Sequence, residues 1–160
     1  MPLSIRPLSP PDFALIENLA RRIWPVAYGA ILTPIELENL LSNIYSGQNL
    51  AKEVYEGHRF WGAFDGETAL GFASGYHKEN TIWLKKLYVL PEAQGKGAGR
   101  ALLETVIAAF APAEDARLYV NADNRAAQDF YRRLGFANSG AVPVRMGDFD
   151  FTDFVFVKPL

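Results

Sequence analysis

Apolar residues along this chain recur at two different spacings, and each change of spacing marks a new element. Leu3, Ile5 and Leu8 form a short first strand, placed at a sheet edge where Pro7 is tolerated. Ser9-Pro10-Pro11-Asp12 reads as a helix start, with Ser9 as N-cap and Pro10 at the first helical position. Phe13, Ile16, Leu19, Ala20, Ile23 and Trp24 then make an apolar stripe with Glu17, Arg21 and Arg22 opposite. Pro25 is expected to end or kink that helix. Thr33-Pro34-Ile35-Glu36 opens a second helix that buries Leu37, Leu40, Leu41 and Ile44, and Gln48 to Tyr55 adds a further turn or two after Ser46-Gly47.

At Arg59 the period becomes two. Phe60 to Phe64 and Ala69 to Tyr76 are strands joined by a hairpin at Asp65-Gly66, and Lys78-Glu79-Asn80 turns into a further strand beginning at Thr81, the third of three consecutive antiparallel ones. Leu102, Leu103, Val106, Ile107 and Phe110 restore a helical period until Pro112, after which Leu118-Tyr119-Val120 is a short strand. Strand, helix and strand in that order predict a crossover, with the Leu84 and Leu118 strands as parallel neighbours. Asn124 caps a helix with Ala127, Phe130, Tyr131 and Leu134 on its inner face, and Gly135 ends it. Val142 to Met146 and Phe151 to Val157 close the chain as a hairpin around Gly147-Asp148. The expected fold is α+β. It is one domain over 1–160, with a mixed, mostly antiparallel sheet of about seven strands and four to five helices.

Composition narrows the chemistry. The 160 residues are 49% hydrophobic and 21% charged, with a formal net charge of −2, as in an ordinary globular protein. No long basic run points to nucleic acid. There is no cysteine, so disulfides, thiolate metal sites and cysteine nucleophiles are excluded. Two well-separated histidines, His58 and His77, argue against a histidine-rich zinc site, and no metal is expected. With no signal-like N-terminus and no apolar run near the ~18 residues a membrane span requires, the expectation is a cytoplasmic protein without a membrane partner.

The densest chemistry lies in Thr81–Phe110. Its strand and helix are joined by Gln94-Gly95-Lys96-Gly97-Ala98-Gly99-Arg100, a glycine-rich turn aimed into a helix N-terminus and suited to hold phosphate. The spacing does not fit G-x-G-x-x-G, because the third glycine comes one residue early, and Lys96 lacks the neighbours of a P-loop.

Val89-Leu90-Pro91-Glu92-Ala93-Gln94-Gly95-Lys96-Gly97-Ala98-Gly99 resembles the acetyl-coenzyme A signature V-x-P-x-x-[QR]-x-x-G-x-[GA] of the GCN5-related N-acetyltransferases (GNAT). Asn124 to Phe136 is similar to that family's second block, N-x-x-A-x-x-[FL]-Y-x-x-x-G-F. The resemblance implies a GNAT-like domain, with an acceptor-side helical region over about 9–56 and an acetyl-CoA-binding core over 81–136. In such a fold the strand beginning at Thr81 and its neighbour splay apart beyond Val89. Backbone groups of Leu87, Tyr88 and Val89 would face the pantetheine arm of acetyl-CoA. Gln94, Gly95, Lys96, Gly97, Ala98, Gly99 and Arg100 would hold its pyrophosphate, and Asn124 would reach the pantetheine or phosphate side.

By the same resemblance Tyr131 would protonate the leaving thiolate after direct attack by a primary amine. The amine would belong to a small metabolite, a polyamine or a peptide N-terminus. A glutamate that some members carry on the strand before the asparagine is absent, since Tyr119 stands there. Glu79, Glu36, Glu38 or the backbone through ordered water remain as bases. Trp24, Tyr28, Tyr45 and Phe149 are candidate aromatic walls of an acceptor pocket. Glu36, Glu38, Asp148 and Asp150 are candidate attractors of a cationic amine. The aromatic-rich closing hairpin, Phe149 to Val157, is a candidate to pair with a second subunit in a homodimer. The alternative is a non-catalytic acetyl-CoA sensor that signals through the Ile31–Tyr55 helices.

Overall fold

The structure, a computed structural model, describes residues 2–146 and 148–160. Its strands are β1 (Leu3–Leu8), β2 (Arg59–Asp65), β3 (Thr68–Lys78), β4 (Thr81–Val89), β5 (Asp115–Asn121), β6 (Ala137–Met146) and β7 (Phe149–Pro159). Its helices are α1 (Phe13–Tyr28), α2 (Pro34–Ile44), α3 (Gly47–Tyr55), α4 (Ala98–Phe110) and α5 (Arg125–Arg133). The seven strands form one sheet in the order β1-β2-β3-β4-β5-β7-β6. Among the described residues β4 and β5 are the only parallel pair, and their register sets Leu84 beside Leu118, the two residues the sequence made neighbours.

The start of α1 differs slightly from expectation. Pro10–Asp12 form a 3-10 turn, tied by the Ser9 amide donating to the Asp12 carboxylate at 3.0 Å, before the α-helix begins. The helix does not end at Pro25; it runs on to Tyr28. Proline removes one helix hydrogen bond, but the last turn is held from outside. The Trp24 ring packs on Tyr28 at 4.8 Å and on Tyr88 of β4 at 5.6 Å.

The core is apolar where the sequence stripes place it: Ile16, Leu19 and Ile23 on α1, Leu102, Leu103 and Val106 on α4, and Phe72, Leu118 and Phe156 on the sheet. One buried ion pair interrupts it. Lys86 of β4 donates to Glu53 of α3 at 2.5 Å; their exposures are 4% and 7%. Asn49 also donates to Glu53 at 3.2 Å.

Two sheet features go beyond the sequence reading. β7 lies between β5 and β6: Asp153–Val157 is paired on both sides and Phe149–Thr152 with β6 alone, so the open strand edge at that end of the sheet is β6. The expected turn at Gly147-Asp148 includes Gly147, which lies outside the described residues. The second feature is a bulge in β4. Ser74 pairs with Lys86 and Gly75 with Leu84, which leaves Lys85 without a partner on β3. A bulge bends its strand and increases the local twist.

Candidate active site

The last β4–β5 pair is Leu84–Leu118, next to the Lys85 bulge, although β4 continues to Val89 and β5 to Asn121. The strands therefore separate five residues earlier than the expected point beyond Val89, because the bulge turns β4 away from its neighbour. Between them lies a cleft of about 840 Å³, within the range of small-molecule and cofactor sites. Along it the β5-facing side of β4 and the β4-facing side of β5 are edges opened inside a sheet. Their backbone donors and acceptors require water or a ligand as partner.

At the end of β4 the chain turns through Pro91–Ala93 into the glycines. Gln94 anchors this turn by donating from its side-chain amide to the Val89 carbonyl at 3.4 Å. α2, α3 and α5 each begin with a side-chain cap, from Thr33, Ser46 and Asn124. α4 begins instead with Gly97 at φ +84°, which supplies no side chain. The first amides of α4 thus lack intrahelical acceptors, and they face the cleft, where Gly95, Gly97, Ala98, Gly99 and Arg100 form the wall. A Cβ on Gly99 would stand 3.1 Å from the Phe130 ring, so α4 and α5 approach closely there.

The structure brings most of the expected site residues together. Leu87, Tyr88, Val89, Gln94, Gly95, Gly97, Ala98, Gly99, Arg100, Asn124 and Tyr131 all line the cleft. Lys96 does not. It stands at the apex between two glycines of positive φ, and lies beside Leu3, Asp65 and Leu70. Arg100 is exposed and paired with Glu104 one turn on, at 2.7 Å. Asn124 has both roles open to it: its side-chain oxygen accepts from the Ala127 amide at 3.2 Å, and it lines the cleft.

Tyr131 is 8% exposed, with its ring edge-on to Phe130 at 5.3 Å and Phe136 at 5.8 Å. Burial raises its phenol well above the usual value, and Tyr28 adds to the shift. Tyr28 is a residue that sequence reasoning placed only as a wall. Its hydroxyl is 3.0 Å from the Tyr88 hydroxyl and also interacts with Asn124 and with the charge of Asp153. Burial is again the main cause of its raised pKa. Only the continuation of α1 past Pro25 carries Tyr28 here.

The expected bases and other walls fare differently. Glu79 lies in the β3–β4 turn, at the paired end of β4, roughly 17 Å along the strand from Leu84, where the cleft begins, at ~3.3 Å per residue. Glu36 closes the cap of α2 with the Thr33 amide at 2.8 Å. Glu38 accepts from Arg21 and Ser42, whose hydrogen bonds lower its pKa. Asp150 is held by both contacts of Arg145, at 3.0 Å. Tyr45 and Trp24 are core residues at 1% and 5% exposure rather than pocket walls.

Comparison with known proteins agrees with this geometry. Over 99% of its length the chain is 30% identical to spermidine N(1)-acetyltransferase of Thermoplasma acidophilum, 98% of which is covered. A segment of 89 residues is 42% identical to mycothiol acetyltransferase of Mycolicibacterium gilvum, spanning 48% of this chain and 29% of that protein. The fold superposes over all of both chains on the PaiA N-acetyltransferase of Thermoplasma acidophilum in complex with coenzyme A, with a TM-score of 0.84 and 27% identity. Residues 15–136 match the Acetyltransferase (GNAT) family, and the chain belongs to that family.

Proposed function

We propose that the protein transfers the acetyl group of acetyl-CoA to a primary amine of a small cationic acceptor, with polyamines the foremost class. The observation that carries this reading is the pairing of an uncapped α4 N-terminus with an internally opened β4 edge, both on one cleft. The amides at the start of α4 and the positive end of its dipole match a pyrophosphate. The free edge of β4 matches the amide groups of a pantetheine arm, which can pair with it as a short strand does. The similarity to a spermidine acetyltransferase over nearly the whole chain supports the acceptor class.

Acetyl-CoA supplies the activated thioester. An amide among Leu87–Val89 donates to its carbonyl oxygen and stabilises the oxyanion formed on amine attack. Tyr131, on the facing wall, gives its phenolic proton to the departing sulfur. Its raised pKa keeps that proton in place throughout the pH range in which amines become nucleophilic.

The test is a panel of polyamines, amino acids and peptide N-termini, followed by release of free thiol from acetyl-CoA. Polyamine turnover is expected, and calorimetry should show acetyl-CoA binding without any acceptor. Binding with no turnover across the panel would favour the sensor alternative. At the turn, Gly97→Val places a β-branched residue at positive φ, a strain of about 1–3 kcal/mol. Acetyl-CoA affinity measured by calorimetry should fall about ten- to hundredfold.

A further inference from the structure

The chemistry above leaves one group unassigned: whatever accepts the proton of the incoming ammonium. The carboxylates considered from the sequence lie at the wrong end of the sheet or are engaged elsewhere. A different carboxylate stands where β4 and β5 have parted. Asp153 of β7 pairs across to Asn121 of β5 and Val142 of β6. Cross-strand partners share a face, as do residues two apart on one strand. Asp153 therefore projects from the same face as Asn121 and Tyr119.

That face carries an open aromatic floor. Tyr119 is 53% exposed and stacks on Trp83 at 5.1 Å with an interplanar angle of 18°. Tyr119, Lys85 and Tyr28 line the cleft, and Asp153 interacts electrostatically with both Lys85 and Tyr28. Tyr28 in turn acts on Tyr131. Asp153, outside the cleft lining itself, thus stands behind its wall on the Tyr119 face, one tyrosine removed from the residue assigned to the leaving group.

We propose that Asp153 is the acceptor-site carboxylate, binding the ammonium of a cationic amine and taking its proton before attack. This rests on the acyl-transfer reading above. The aromatic faces of Tyr119 and Trp83 suit the methylene chain and positive charge of such an acceptor. The protons balance as follows. R–NH3+ gives one proton to the Asp153 carboxylate, which passes it to solvent, and the free amine forms the C–N bond. As the C–S bond breaks, Tyr131 protonates the sulfur, and the second proton lost from nitrogen restores the phenol. One proton leaves per amide made.

Half-burial of Asp153 raises its pKa and makes it a stronger base than a surface aspartate, while Lys85 opposes the shift. The groups facing it are Tyr28 from α1 and Lys85 from β4; its neighbours on β5 and β6, Asn121 and Val142, carry no charge.

The experiment compares wild type with Asp153→Asn and Asp153→Glu on a diamine acceptor from pH 7 to pH 10. Asp153→Asn should lower kcat/KM at pH 7 by about ten- to hundredfold. The deficit should shrink as pH approaches the ammonium's own pKa of about 10.4, where the acceptor arrives deprotonated. Asp153→Glu should recover part of the loss, and acetyl-CoA affinity should stay within about twofold of wild type for both. A wild-type rate in Asp153→Asn overturns the assignment, and so does a deficit of equal size at every pH. Absence of amine turnover by the wild type overturns the acyl-transfer reading, and Asp153's role with it.

Discussion

Tyr131→Phe is expected to lower kcat by on the order of 10²-fold or more, while acetyl-CoA affinity stays within about twofold. A hundredfold loss corresponds to about 2.7 kcal/mol of transition-state stabilisation. The substitution removes one oxygen and leaves the ring in its edge-on contacts with Phe130 and Phe136, so the fold and the donor site should survive. The pH profile gives a second readout. Because the folded pKa of the phenol is raised, the acid form persists as pH rises. Wild-type kcat should therefore climb to a plateau, with no falling limb up to about pH 10. Equal kcat in wild type and variant would assign the thiolate's proton to solvent or another donor.

Glu53→Gln should cost about 3–5 kcal/mol of folding stability at pH 7, measured by denaturant unfolding. Lys86 and Glu53 are almost wholly buried, and Lys86 has the rings of Tyr45 and Phe60 about it, each at 5.7 Å. Removing the carboxylate leaves an ammonium in apolar surroundings. Burial lowers the Lys86 pKa, and Glu53 is the main opposing influence, so its removal should lower that pKa further. A lysine whose folded pKa lies below its unfolded value gains folded-state stability as pH rises through the folded pKa. The deficit of Glu53→Gln should accordingly shrink between pH 7 and pH 10. His58, 3.9 Å from Glu53, has its pKa lowered mainly by burial and held up by Glu53, so the same substitution should lower it further. Replacing both Glu53 and Lys86 by Met should recover most of the stability, since it removes both desolvation costs.

Element order was readable because its signals are local: caps at Thr33 and Asn124, a break at Ser46-Gly47, apolar stripes, and a glycine turn after a strand. The donor half of the site was readable for the same reason, as a contiguous stretch from Leu87 to Arg100 with Asn124 and Tyr131 behind it. Of these residues only Lys96 does not line the cleft, because a repeat of glycines does not reveal which way the apex points.

The proposed acceptor half was readable only at Tyr28, named as an aromatic wall, because its other residues, like the buried ion pair, depend on long-range register. Asp153 sits in an apolar, alternating strand and looks like any outward aspartate until β7 is placed beside β5. Tyr28 lies beyond a proline that ordinarily closes a helix. The Glu53–Lys86 pair joins residues 33 positions apart, and Lys86 reads as the second of two surface lysines. One signal was available in principle. Lys85-Lys86 breaks the period-two pattern of β4, as a bulge does.

The short β4–β5 register has a mechanical meaning. Among the described residues the hydrogen-bonded seam between strands 1–4 and strands 5–7 is four strand pairs, Thr81–Asp115 to Leu84–Leu118, with the Glu114 amide donating to the Asn80 carbonyl just before them. A seam that short leaves the rest of β4 and β5 unpaired with each other, and a ligand bridging the open half extends the ladder. At a hundred times its dissociation constant such a ligand adds about 2.7 kcal/mol to folding stability. The same gap that admits the donor therefore couples how long the folded chain survives to how much donor surrounds it.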